Sequence, residues 1–347
     1  MTDCAVGDFL SFAYPKESKQ RKEPRFIGMA IFTIGSIGCA LSGDMHHIMF
    51  WRVFQAFGAC TAPMLSRAMV RDIYSEQEAA RMLSTLLIMM AIAPILGPLI
   101  GGQLLKLGSL HYHFIFLAVI GFLLFLSIFR LPETLPAEKR IKRNPLQMLK
   151  NYAALLGQKT FMSYTLCITF FNVAIYAFIT GSPFVYIEYF HIPEQYFGFL
   201  FGANIVGVIV MSMFNRKLVM RYPVAKLVKL SGLIAVIATV LLAICAKSDL
   251  FGIAGIFLPV LAFFSMNGIL TAGTTAALNS VQGDNVGSAT AMMGSLQYGS
   301  GIVSSLMLAA FSDGTPFTMA WIILLFTVLS LAMGVWGGSQ TKIKKLH

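Results

Sequence analysis

The chain has 347 residues, 57% of them hydrophobic and 12% charged, with 29 Phe and 20 Met and a mean hydropathy of +0.74. Soluble globular domains carry about twice that charged fraction, so a water-soluble fold is excluded and an all-α integral membrane protein is predicted. A formal net charge of +11 would suggest nucleic acid in a soluble protein, but in a membrane chain the placement of the charges decides what they mean.

In chain order, residues 1–25 form a segment ahead of the first span. Within it, 4–14 is apolar but interrupted by Gly7 and Asp8, and it is too short to cross a bilayer. No basic stretch precedes it, so it does not read as a cleavable signal peptide. Apolar runs then mark four spans at 26–42, 47–66, 82–105 and 112–130. Residues 131–160 read as a cytoplasmic linker, opened by Pro132 and Pro136 and basic as far as Lys159. Six further runs follow at 161–186, 197–215, 228–246, 250–273, 287–310 and 315–337, with a tail at 338–347. Each run approaches or exceeds the roughly 20 residues a membrane helix needs. None alternates as barrel strands do. The prediction is about ten transmembrane helices, four in an N-terminal bundle over 26–130 and six in a C-terminal bundle over 161–337.

The charges assign the sides. With the N-terminus cytoplasmic and each span crossing once, 23 of the 26 Lys and Arg residues fall on the cytoplasmic side. Lys106 and Lys247 fall outside that set, and Arg52 lies within a span. Such segregation is the positive-inside pattern. It predicts a multi-pass membrane protein with both termini cytoplasmic and the loop around His191 and Glu194 outside. The bilayer accounts for the basic charge without any nucleic-acid partner.

Within this frame a few residues stand out. Arg52 opens an apolar stretch that also holds Gln55 and Gly58. A guanidinium cannot shed its charge, so at membrane depth it faces protein, water or a counter-charge. Ala93, Gly97 and Gly101 recur every fourth residue, giving a smooth helix face for close approach, while Pro94, Pro98 and Gly102 form the adjacent stripe. Thr165, Thr169, Asn172, Tyr176 and Thr180 make a polar stripe on one helix. That stripe reads either as a cavity wall offering hydrogen bonds to a small molecule or as interhelical and back-bonded glue. Asn204, Asn267 and Gln297 are single amides in later spans, each a candidate for the same cavity and each also explicable as glue. The five cysteines are scattered with no C-x-x-C pair, and neither a metal-binding spacing nor a catalytic triad nor a phosphate-binding loop is present in the sequence. No cofactor, metal or catalytic residue is expected.

Several of these motifs resemble one family. Arg52-x-x-Gln55-Ala-x-Gly58-Ala59 resembles the fourth-helix motif of the major facilitator superfamily, specifically of the Bcr/CflA type of bacterial drug-resistance transporter. Gly97-Pro98-x-x-Gly101-Gly102 resembles its antiporter-type fifth-helix motif, and Pro132-Glu133-Thr134-Leu135 the segment after its sixth helix. Ser182-Pro183-Phe184-Val185-Tyr186-Ile187-Glu188 and Phe197-Gly198-Phe199-Leu200-Phe201 resemble its seventh-to-eighth junction. The resemblance covers about 26–337, as helices three to twelve of a twelve-helix, two-bundle architecture. It implies a monomeric secondary transporter of the bacterial inner membrane that exports small, often amphipathic molecules by alternating access, with protons as exchange partner.

Two departures temper that expectation. The family's loop between helices two and three carries a Gly-x-Leu-x-Asp-Arg-x-Gly-Arg-Arg-like signature, whereas 14–24 here is basic without that pattern. The acidic residue typical of the family's first helix has no counterpart. Of 15 Asp and Glu residues, 14 fall ahead of the first span or in loops, and Glu188 sits at the outer end of a span. The chain as it stands is therefore expected not to perform proton-coupled export, and an inactive truncated remnant is the alternative reading. A membrane-embedded enzyme or electron-transfer subunit is the other, and it lacks the converging ligands or titratable groups such a site needs.

Overall fold

A computed structural model describes residues 22–59, 69–70, 74–75, 78, 81–82, 85–86, 89, 96–97, 100–104, 111–129, 145–281 and 286–344. For 22–25, 145–150, 195, 286–287 and 341–344 only the backbone is described. Pro94, Pro98, the end of the second predicted span, most of the third and 131–144 of the predicted linker lie outside these residues.

The chain divides into two compact units, 1–148 and 149–347. In the first, α1 (Lys22–Leu41) packs against both α2 (Met45–Ala59) and α3 (His111–Ile128). Small residues on α1 make this possible. A Cβ on Gly35 would come within 2.5 Å of the Gln55 backbone nitrogen, so only glycine allows α1 and α2 this close. Outward side chains such as Phe122, Leu123 and Leu124 on α3 are exposed, as lipid-facing residues are once no water has to be avoided.

A helix α4 (Pro145–Leu156) falls inside the predicted linker. Proline at the first helical position and the following run of good helix formers explain it, and its Leu155 is fully buried. The stretch read as a linker is thus helical over Pro145–Leu156.

The second unit is built on α5 (Lys159–Pro183), which runs on through a π-helical turn, Phe184–Tyr189. After it come α6 (Glu194–Arg221), α7 (Val224–Ser248), α8 (Gly252–Leu270), α9 (Ala272–Asn279), α10 (Val286–Ala310) and α11 (Pro316–Lys344). α5 packs against α9, α10 and α11, α7 against α8 and α11, and α6 against α8. Buried rings of Phe161, Tyr164, Phe171, Phe178 and Phe263 fill the middle.

Six helices among the described residues are long and apolar enough to cross a bilayer. Phe26–Leu41 is apolar but shorter, and α10 is long enough yet diluted by serine and glycine. The predicted 250–273 span ends at Leu270 and continues past Thr271 as α9.

Most span hydroxyls bond within their own helix. Thr33, Ser36, Ser42, Thr169, Ser231, Ser265 and Thr327 each donate to a carbonyl four residues back, at 2.6–2.9 Å. An exception is Ser330 of α11, which donates to the Cys167 carbonyl of α5 at 2.7 Å. That bond joins two of the most closely packed helices.

Candidate transport site

In the first unit the site is built around Arg52, about 10 Å along α2 from its start at the usual helical rise. Its Nη1 donates to Gln55 Oε1 at 3.1 Å, one turn on. Gln55, only 4% exposed, donates from Nε2 to Ser36 Oγ of α1 at 2.8 Å. Ser36 in turn donates to the Phe32 carbonyl at 2.8 Å. The guanidinium also lies over the Phe114 ring of α3, 5.2 Å from its centroid, a cation–π distance. Through Gln55 and the Phe114 ring this one charge is linked to α1, α2 and α3 while its own side chain stays exposed. Gly58, one turn beyond Gln55, is buried against Gly28 and Phe32 of α1, and any side chain there would collide with backbone.

Of the glycine–proline stripe, Gly97, Gly101 and Gly102 are described. Gly97 is exposed, and Gly102 half-buried. The Gly101 carbonyl lies 2.8 Å from His113 Nε2 on α3. Because the carbonyl can only accept, that nitrogen donates. Nδ1 is buried with no partner among the described residues.

The second unit divides the polar stripe of α5. Thr165 is fully buried, and Thr169 bonds back to the Thr165 carbonyl at 2.9 Å, so this end is structural. Asn172 and Tyr176 are half-buried and Thr180 is exposed. Asn172 Nδ2 is held by the Ile168 carbonyl at 2.9 Å, and the Tyr176 ring lies flush on Gly301 of α10. Gln297, one turn before Gly301, is also half-buried, so α5 and α10 bring Asn172, Tyr176 and Gln297 to one region. Asn204 and Asn267 sit instead on the α6–α8 pair. Asn204 is 1% exposed and donates to the Leu200 carbonyl at 3.0 Å, which makes it a core amide; Asn267 is half-buried.

Sequence reasoning missed Ser36, Phe114 and His113, and met Tyr186 only as part of the Ser182–Glu188 resemblance. Gly28, Gly35 and Ser42 at seven-residue spacing were the available signal that α1 is a packing helix facing Gln55. Tyr186, in the π-helical turn, is fully buried between the rings of Phe178 and Phe197, and its hydroxyl has no partner among the described residues. Pro183 inside the helix hinted at the irregular turn that carries it.

A charged residue held by its helix neighbours, glycine-tight helix contacts and half-buried polar groups on long apolar helices fit a polytopic membrane carrier. The sequence profile of the Major Facilitator Superfamily matches residues 19–305. An uncharacterised MFS-type transporter of Bacillus subtilis, YdgK, is 32% identical over 303 residues, covering 85% of this chain and 75% of the relative. A bicyclomycin resistance protein homolog of Haemophilus influenzae is 25% identical over 304 residues, covering 87% and 76%. The solved D-xylose-proton symporter superposes with a TM-score of 0.74 at 13% identity, covering 96% of this chain and 85% of that one. The chain belongs to the Major Facilitator Superfamily. It is a multi-pass membrane protein and a secondary transporter of small molecules rather than an enzyme.

Proposed function

We propose that the protein exports small, amphipathic, drug-like molecules across the bacterial inner membrane by alternating access, working as a monomer. The observation that carries this reading is the half-buried wall of Asn172, Tyr176 and Gln297 on α5 and α10. It combines amide donors and acceptors with an aromatic face and includes no carboxylate, which suits ligands recognised by ring contact and a few hydrogen bonds. The relative's name as a bicyclomycin resistance homolog supports the substrate class. Arg52 serves as the fixed charge of the path, with Gln55 and Gly58 holding it. Its exposed side chain fits a water-lined cavity, since lipid contact for an arginine at this depth costs several kcal/mol. Gly97, Gly101 and Gly102, with Pro94 and Pro98, act as the seal where helices rock. Asn267 extends the polar lining, whereas Asn204 serves as core support.

The test is dye export from cells expressing the chain. Tyr176→Ala is expected to raise retained ethidium to the level of cells without the protein, and Tyr176→Phe to keep most of the export. Equal export by Tyr176→Ala and the unaltered protein would sink this assignment of the wall.

A further inference from the structure

Away from this wall, α6 and α7 meet at the turn through Tyr222 and Pro223 and both lean on α8. Between them lies a cavity of about 340 Å³ lined by Leu218, Tyr222, Lys226, Leu230, Ile234 and Ile269, among others. Its floor is buried, with Leu227, Ser231 and Ile269 each under a tenth exposed. Its rim is open: Tyr222, Leu230 and Ile234 are 44%, 52% and 40% exposed. At the mouth the Lys226 ammonium sits 5.0 Å from the Tyr222 ring centroid. The Ser231 hydroxyl is turned onto the Leu227 and Val228 carbonyls of its own helix, so the interior of the groove is apolar.

We propose that this groove is a binding site for one anionic phospholipid of the leaflet that bears the α6–α7 corner. Leu218, Leu230, Ile234 and Ile269 form an apolar slot that accepts part of an acyl chain. Lys226 and the Tyr222 hydroxyl stand where the chain ends and the phosphate begins. The charge pattern selects the headgroup. Arg216, Lys217, Arg221, Lys226 and Lys229 crowd this corner, and no Asp or Glu occurs between Glu194 and Asp249 to neutralise them. The N-terminus of α7, capped from Pro223, adds its positive dipole end at the same mouth. Basic clefts between membrane helices are suited to acidic headgroups, and a lysine there is drawn to the anionic surface by its stem as well as its charge. A bound lipid of this kind wedges α6 and α7 apart at the turn while both remain seated on α8.

The experiment is native mass spectrometry of the full chain released from detergent, titrated with phosphatidylglycerol or with phosphatidylcholine of matched acyl chains. The unaltered protein is expected to retain phosphatidylglycerol and to shed phosphatidylcholine. Lys226→Ala should weaken phosphatidylglycerol retention about fivefold, the loss expected for one basic residue at an anionic surface. Lys226→Arg should restore it. Lys247→Ala, at the far end of α7, should leave it unchanged. Leu230→Trp, which fills the slot, should lower retention even with Lys226 in place. Equal retention of the two lipids, or equal phosphatidylglycerol retention in Lys226→Ala and the unaltered protein, overturns the proposal. The readout needs no transport, so it stands or falls apart from the export reading.

Discussion

Arg52 is held by geometry that a second cation cannot copy. Its guanidinium reaches Gln55 and the Phe114 face at once, and a lysine ammonium, a point donor on a flexible stem, cannot do both. Arg52→Lys is expected to keep the protein folded but to lower export several-fold, and Arg52→Ala to abolish export. Gln55→Leu should be the most destabilising of the three. It removes the Gln55 acceptor of Arg52 and the tie to Ser36, at a cost of about 1–3 kcal/mol for groups so stranded. Thermal melts in detergent beside dye-export rates separate the two effects. Unchanged export in Arg52→Ala would remove Arg52 from the transport path.

At the scale of the helix, α11 begins on a carboxylate clasp. Asp313 Oδ1 accepts from the Thr318 hydroxyl at 2.6 Å, the Thr315 amide at 2.9 Å and the Thr315 hydroxyl at 2.8 Å. The Thr318 hydroxyl bond first, and the Thr315 amide next, hold the Asp313 carboxyl below its ordinary pKa. A group with a depressed folded pKa stabilises fully above its unfolded value and loses that contribution as pH falls through the folded one. Asp313→Asn is thus expected to lower the melting temperature by a few degrees at pH 7 and to converge on the unaltered protein in acid, below about pH 4. A gap that persists undiminished at pH 3 would show the carboxylate charge to be irrelevant. The helices themselves were largely legible, because apolar runs of bilayer length leave little choice for α3, α5 to α8 and α11. α4 was not, since the charges and prolines ahead of it mark a connection between bundles, while Pro145 starts a helix. Arg52 and Gln55 were legible as one-turn neighbours. Ser36 was not, because it lies 19 residues away and a serine in an apolar helix more often bonds only to its own backbone. The burial of Tyr186 escaped because it is decided by the rings that fold around the hydroxyl.

For the whole molecule, the segregation of 23 basic residues predicts which parts face the cytoplasm. A single cysteine at Lys142 or Lys344 should resist an impermeant thiol reagent in intact cells, and one at His191 should react. The reverse pattern would invert the topology. The carboxylates predict the coupling. Glu188, at the outer end of a predicted span, is exposed near the end of the π-helical turn, and the sequence places no other carboxylate within the predicted spans to load and unload a proton. Purified chain in liposomes is expected to show no substrate-dependent proton release above empty liposomes, and release above that level would refute it. The span hydroxyls carry a mechanical consequence. Because so many spend their hydrogen bond on their own helix, neighbouring helices such as α6 and α8 can slip along one another by an ångström or two with no bond from these groups broken. The Ser330 bond to Cys167 works as a pin instead, so any such slippage must carry α5 and α11 together as one piece.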